Sequence, residues 1–125
     1  MEINNYTIAI TDEQFYALAD GAVKYADRDA YVSDYRLSSM WGNADDAADI
    51  PPERIELVAQ MWDICHLSIK DIRAAAGLTQ LAFSRRFLIP TRTIEEWEAG
   101  HRQCSLYLRL LLAEAAGIFH RISIK

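Results

Sequence analysis

Cysteine, histidine, proline and glycine are all scarce: two, three, three and five in 125 residues. Cys65 and Cys104 stand far apart with no CxxC neighbour. A disulfide framework is therefore not expected, and both read as reduced thiols of a reducing compartment. His66 follows Cys65, but two adjacent ligands do not make a zinc site, which takes three or four at recurrent spacings. No metal is expected. Glycine-rich phosphate loops and nucleophiles with a placed base are also missing, so neither an enzyme nor a cofactor is expected. No apolar run approaches the roughly 18 residues of a membrane span. The start, MEINNYTIAITDEQ, has no basic segment leading into an apolar one, so a cytoplasmic location is expected.

Positive charge is in short supply as well, with a net charge of −5. The deficit is local. Residues 1–52 hold ten acids and three bases, whereas residues 53–125 hold eight acids and ten bases. A local basic face governs contact with phosphate more than the total does. Apolar residues make up 51% of the chain, enough for one compact domain, or for one domain with an appended subdomain. The expected division is an acidic, mostly helical extension over 1–52 and a helix-turn-helix domain over 53–125.

Residues 4–10 alternate as a strand does, and the tail FHRISIK alternates too, so the termini can form a small two-stranded β element. Thr11 with Gln14 fits a capping box. The helix that follows has Phe15, Leu18, Ala19 and Ala22 on one face; Gly21 either breaks it or lets it run on towards Tyr35. Tyr16, Tyr25, Tyr31 and Tyr35 stud this segment, for packing or for a partner-binding face. Residues 38–52, SSMWGNADDAADIPP, form the best linker candidate. Pro51 and Pro52 mark a helix start, and Ile55, Val58, Ala59 and Trp62 give that helix an apolar face. Ser68 with Asp71 signals another N-cap.

Residues 68–117 hold three helical patterns in succession, the layout of a helix-turn-helix. The first runs over about 69–76 and stops at Gly77, where a left-handed residue is wanted. Thr79 caps the second. Gln80 lies in its first turn, where its amide and exposed backbone N–H groups can hold a phosphate. Phe83 and Phe87 point to the core, and Arg85 and Arg86 point away. Leu88-Ile89-Pro90 forms the turn, with Ile89 expected to be buried and Thr91 expected to cap the third helix. At 100° per residue, Ile94, Trp97 and Glu98 cluster inward. Arg92, Glu95, Glu96 and Ala99 face outward, and Thr91 borders them. Outward residues at the front of such a helix read bases: Arg92 can donate to guanine O6 and N7, and a glutamate can accept from cytosine N4. His101 and Arg102 follow the helix, near a phosphate strand. Glu98, facing inward, needs a partner, and Arg73 on the first helix is the natural one.

On Arg73, Gly77-Leu78-Thr79-Gln80, Ile89, Thr93-Ile94, Trp97-Glu98, Gly100 and the Leu-rich closing helix, the stretch 69–118 resembles the Cro/lambda-repressor class of DNA-binding domains, the XRE family. The resemblance implies a mainly α, lambda-repressor-like helix-turn-helix bundle carrying an N-terminal helical extension. It implies base contacts by Thr91, Arg92, Glu95 and Glu96, backbone contacts by Thr79, Gln80, His101 and Arg102, and a structural Arg73–Glu98 pair. Two positions depart from it. Leu88 stands where a turn glycine is usual, so the turn is expected to differ or to carry strain. Cys104 stands where proline is usual.

The function these readings imply is a sequence-specific transcriptional regulator, a repressor that occludes its operator. Its expected partner is double-stranded DNA. A homodimer is expected through the surplus leucines between Leu106 and Leu112. The alternative is a protein-binding module, such as an antitoxin or DNA-mimic inhibitor, with a protein partner held by acidic residues 1–52.

Overall fold

Side-chain capping sets most of the helix starts. In the computed structural model, which describes residues 6–42 and 50–124, Thr11 and Gln14 form a reciprocal capping box at the head of α1 (Asp12–Ala22). Asp27 caps α2 (Arg28–Tyr35), and Pro51 precedes α3 (Pro52–Cys65). Ser68 and Asp71 form a second reciprocal box at α4 (Ile69–Ala75), and Thr79 caps α5 (Gln80–Phe87). α6 (Thr91–Ala99) and α7 (Leu106–Ala115) start without a side-chain cap. The chain is thus mainly helical. β1 (Tyr6–Ile10) and β2 (Phe119–Ser123) add a two-stranded parallel sheet, registered by Tyr6 N–H to the Ile118 carbonyl and Ile124 N–H to the Ile10 carbonyl. No helix among the described residues is long and apolar enough to cross a membrane.

The chain forms two compact units, one of residues 8–66 with 121–125 and one of residues 1–7 with 67–120. In the first, α3 packs on α1 and α2 around Phe15, Leu18, Tyr31, Val58, Met61 and Ile64, all buried. The expected division after residue 52 therefore falls one helix earlier than the division between these units. α3 has an apolar face, and the helices that cover it are those that precede it. The central part of the expected linker, 43–49, lies outside the described residues, as do residues 4 and 5 of the expected strand.

Gly21 does not break α1. The helix ends one residue later, and an added Cβ at Gly21 would lie 2.1 Å from the Tyr35 hydroxyl oxygen. The glycine is thus the space in which Tyr35 sits. Tyr35 stacks on Tyr31 at 4.7 Å between centroids, and Tyr25 meets both edge-on. Tyr31 is fully buried and donates its hydroxyl to the Leu18 carbonyl at 2.8 Å. Burial pushes its pKa far above that of an ordinary phenol. Of the four tyrosines, Tyr16 alone is largely exposed. Cys65 is buried, and His66 stacks on Trp62 and donates Nε2–H to the Ala22 carbonyl at 2.8 Å. Among the described residues no three His, Cys, Asp or Glu converge on a point that could hold a metal.

The second unit is built on Leu67, Ile69, Ile72, Phe83, Ile94 and Leu112, all buried. α6 packs on both α4 and α5, and α7 packs on α4. Arg109 of α7 fastens that last contact, donating Nη1 to the Leu67 carbonyl at 2.8 Å and Nε to the Cys104 carbonyl at 3.3 Å.

Candidate nucleic-acid interface

α5, a three-residue turn and α6 form the centre of the second unit. The turn keeps a left-handed residue despite having no glycine: Leu88 sits at φ 57° and ψ 39°, with its side chain 90% exposed. Such a backbone is costly for a residue with a Cβ. Its conformation lets Ser84 fasten the turn. The Ser84 carbonyl accepts from Ile89 N–H at 3.0 Å, its hydroxyl donates to the Ile89 carbonyl, and the Thr91 hydroxyl donates to Ser84 Oγ at 3.1 Å. The Ser84 hydroxyl thus links α5, the turn and α6.

Two expectations change here. Thr91 is the first residue of α6, not its cap, because Pro90 takes the extended cap position. The fixed ring of Pro90 suits a helix start but brings no side-chain acceptor. Ile89 is half-buried, not enclosed.

The inner face of α6 is anchored twice. Ile94 is fully buried, and Glu98, with its side chain 9% exposed, takes both arms of Arg73: Nε to Oε2 and Nη2 to Oε1, each at 2.8 Å. Arg73 Nη1 donates a third bond to the Leu78 carbonyl at 3.1 Å, so one guanidinium joins α4, the bend after it and α6. The Arg73 hydrogen bonds hold the Glu98 carboxyl below its usual pKa, and burial opposes them. Gln80 is half-buried at the start of α5. Thr79 uses its hydroxyl as an acceptor for Ala82 N–H at 3.1 Å.

The outer face of α6 is open. Arg92 is 87% exposed, and Glu95 and Ala99 are exposed with it. Glu96 is half-exposed and engaged. Its Oε1 accepts from Arg92 Nε at 3.2 Å, and its Oε2 lies 3.6 Å from Arg102 Nη1. The Glu96 carbonyl also accepts from the backbone N–H groups of His101 and Arg102, after Gly100 reverses the chain at φ 78°. His101 and Arg102 are therefore held beside the C-terminal end of α6, and both are exposed. The i, i+4 spacing of Arg92 and Glu96 is the signal that could have disclosed their pairing; nothing local marks Arg102 as the third member.

The fold thus gathers Thr91, Arg92, Glu95, Glu96, His101 and Arg102 on or beside α6, and Thr79 and Gln80 at the start of α5. Arg85 and Arg86, on the outside of α5, are exposed as well. No protein-family model matches the chain, and neither the curated proteins nor the solved structures contain a significant match to it.

Proposed function

We propose that the chain is a sequence-specific DNA-binding regulator of the Cro/lambda-repressor type, with α6 as the helix that enters the major groove. One observation carries the reading. α6 is pinned on its inner face by Ile94 and by the Glu98–Arg73 pair, while its outer face leaves Arg92, Glu95 and Ala99 in solvent. A reading helix needs a fixed axis and an open front. Arg92 supplies a fork for guanine, and Glu95 supplies an acceptor for cytosine N4. The α5 N-terminus, Arg102 and His101 flank this front and serve the phosphate strands. Repression is by occlusion: protein on the operator excludes polymerase.

The protein acts as a homodimer. Tyr107 and Leu111, one turn apart on α7, are 72% and 61% exposed, an apolar pair suited to a symmetric seam. The test is selection of bound sequences from a random duplex pool, followed by titration across salt. A regulator enriches two half-sites about 10 base pairs apart, and its affinity falls steeply as salt rises. Failure to bind any duplex at moderate salt would overturn the reading and favour a protein partner for acidic residues 1–52.

A further inference from the structure

We propose that Glu96 is not a base reader but the positioning residue that makes Arg92 selective for guanine. The inference rests on the DNA-binding reading above. A guanidinium presents five N–H donors in a fixed plane. Glu96 Oε1 takes the Nε hydrogen of Arg92, which leaves the terminal edge, one hydrogen from each Nη, as a pair of parallel donors. That pair is what guanine O6 and N7 require. Glu96 therefore occupies a donor outside that pair and turns the edge that guanine uses.

The same carboxylate lies beside Arg102 on its other oxygen. One negative charge is thus shared by two exposed cations. An unrestrained arginine on a groove-facing helix swings to the nearest phosphate, a contact that any sequence provides. A tethered one gives up part of that attraction and keeps the contact that depends on the base. The side chains of Glu96 and both arginines are partly or largely exposed, where ion pairs add little to stability. The consequence lies in selectivity, with the fold unaffected.

The experiment compares the full chain with Glu96→Gln on three duplexes: the selected operator, the operator with guanine replaced by adenine at the pair whose preference Arg92→Ala abolishes, and a random sequence. Glu96→Gln is expected to bind the random duplex about three- to tenfold more tightly, with a salt slope steeper by about one contact. Its guanine preference is expected to fall about tenfold, with an unchanged melting temperature. In the DNA-free protein, the Arg92 Nε–H resonance should move on the same substitution. An unmoved resonance overturns the tether. Retained guanine preference, or an equal loss of affinity on all three duplexes, overturns the inference while leaving the DNA-binding reading standing. If the unaltered protein binds none of the three, both fall together.

Discussion

Arg73 on α4 and Glu98 on α6, 25 residues apart in sequence, meet through two parallel 2.8 Å hydrogen bonds. This pair sets the axis of α6, because Glu98 sits in the last turn of the helix and Arg73 is itself tied to the Leu78 carbonyl. Removing the carboxylate in Glu98→Ala leaves a largely covered guanidinium without its partner. The expected loss is about 2–3 kcal/mol by urea denaturation, from the strength of charge-assisted hydrogen bonds. Replacing both residues with apolar ones, Arg73→Met with Glu98→Leu, should recover most of it.

The same pair makes acid destabilising. Arg73 holds the Glu98 carboxyl below the ordinary glutamate value of 4.5. A carboxylate whose folded pKa is depressed supports the fold above its unfolded pKa and loses that support as pH falls through the lower folded value. Stability should therefore stay level near neutrality and drop below about pH 4.5. Glu98→Gln should flatten that drop without abolishing it, since Asp12 is also held low, chiefly by the Ser123 hydroxyl. Denaturant melts at pH 3, 4 and 7 measure both.

Leu88→Gly should stabilise the protein. Leu88 pays for a left-handed backbone, and its 90% exposed side chain offers little burial in return. Relief of the Cβ conflict is worth about 1–2 kcal/mol, and the extra freedom of glycine in the unfolded chain returns about half of it. The expected net gain is about 0.5–1 kcal/mol. Leu88→Ile, branched at Cβ, should lower the melting temperature.

Gly21→Ala should do the opposite of what helix propensity suggests. Alanine is favoured over glycine inside a helix by about 1 kcal/mol, but here the new methyl would enter the Tyr35 ring, with Cζ at 2.2 Å and Oη at 2.1 Å. Overpacking costs about 1–3 kcal/mol, so a net loss is expected. Tyr35→Ala in the Gly21→Ala background should show a coupling of the two sites in a double-mutant cycle. Simple additivity would show that the ring is displaced without cost.

On the proposed DNA-binding reading, Arg92 and Arg102 should separate by the kind of contact they lose. Arg92→Ala is expected to cost about 1–3 kcal/mol on the selected operator, with a smaller effect on random duplex. Arg102→Ala should weaken both alike and reduce the salt slope by about one. Equal behaviour of the two variants would remove α6 as the reading helix.

If the proposed homodimer forms through α7, Leu111→Asp should shift it to monomer in sedimentation velocity. Its side chain is 61% exposed, so the monomer fold should be kept, as circular dichroism can verify. An unchanged sedimentation coefficient would place the seam elsewhere or exclude a dimer.

The caps at Thr11, Ser68 and Thr79 were legible because a cap is a relation among residues two or three apart. The inward set of α6 was legible for the same reason, since a helical period fixes which side chains share a face. The Arg73–Glu98 pairing followed from a rule of charge: a carboxylate on an inward face needs a cation. Thr91 was misplaced by one position because Pro90, whose ring suits a helix start, took the cap position itself.

Short-range chemistry in the chain therefore determined where helices start and stop and which side of each is apolar, since those choices are made within one or two turns. It also placed alternating segments at both ends. Only tertiary packing decided that these segments run parallel, that α3 is covered by α1 and α2, and that Glu96 stands between two arginines. Those outcomes depend on which distant surface best fits an apolar face or satisfies a charge. A local pattern states that need without naming what meets it.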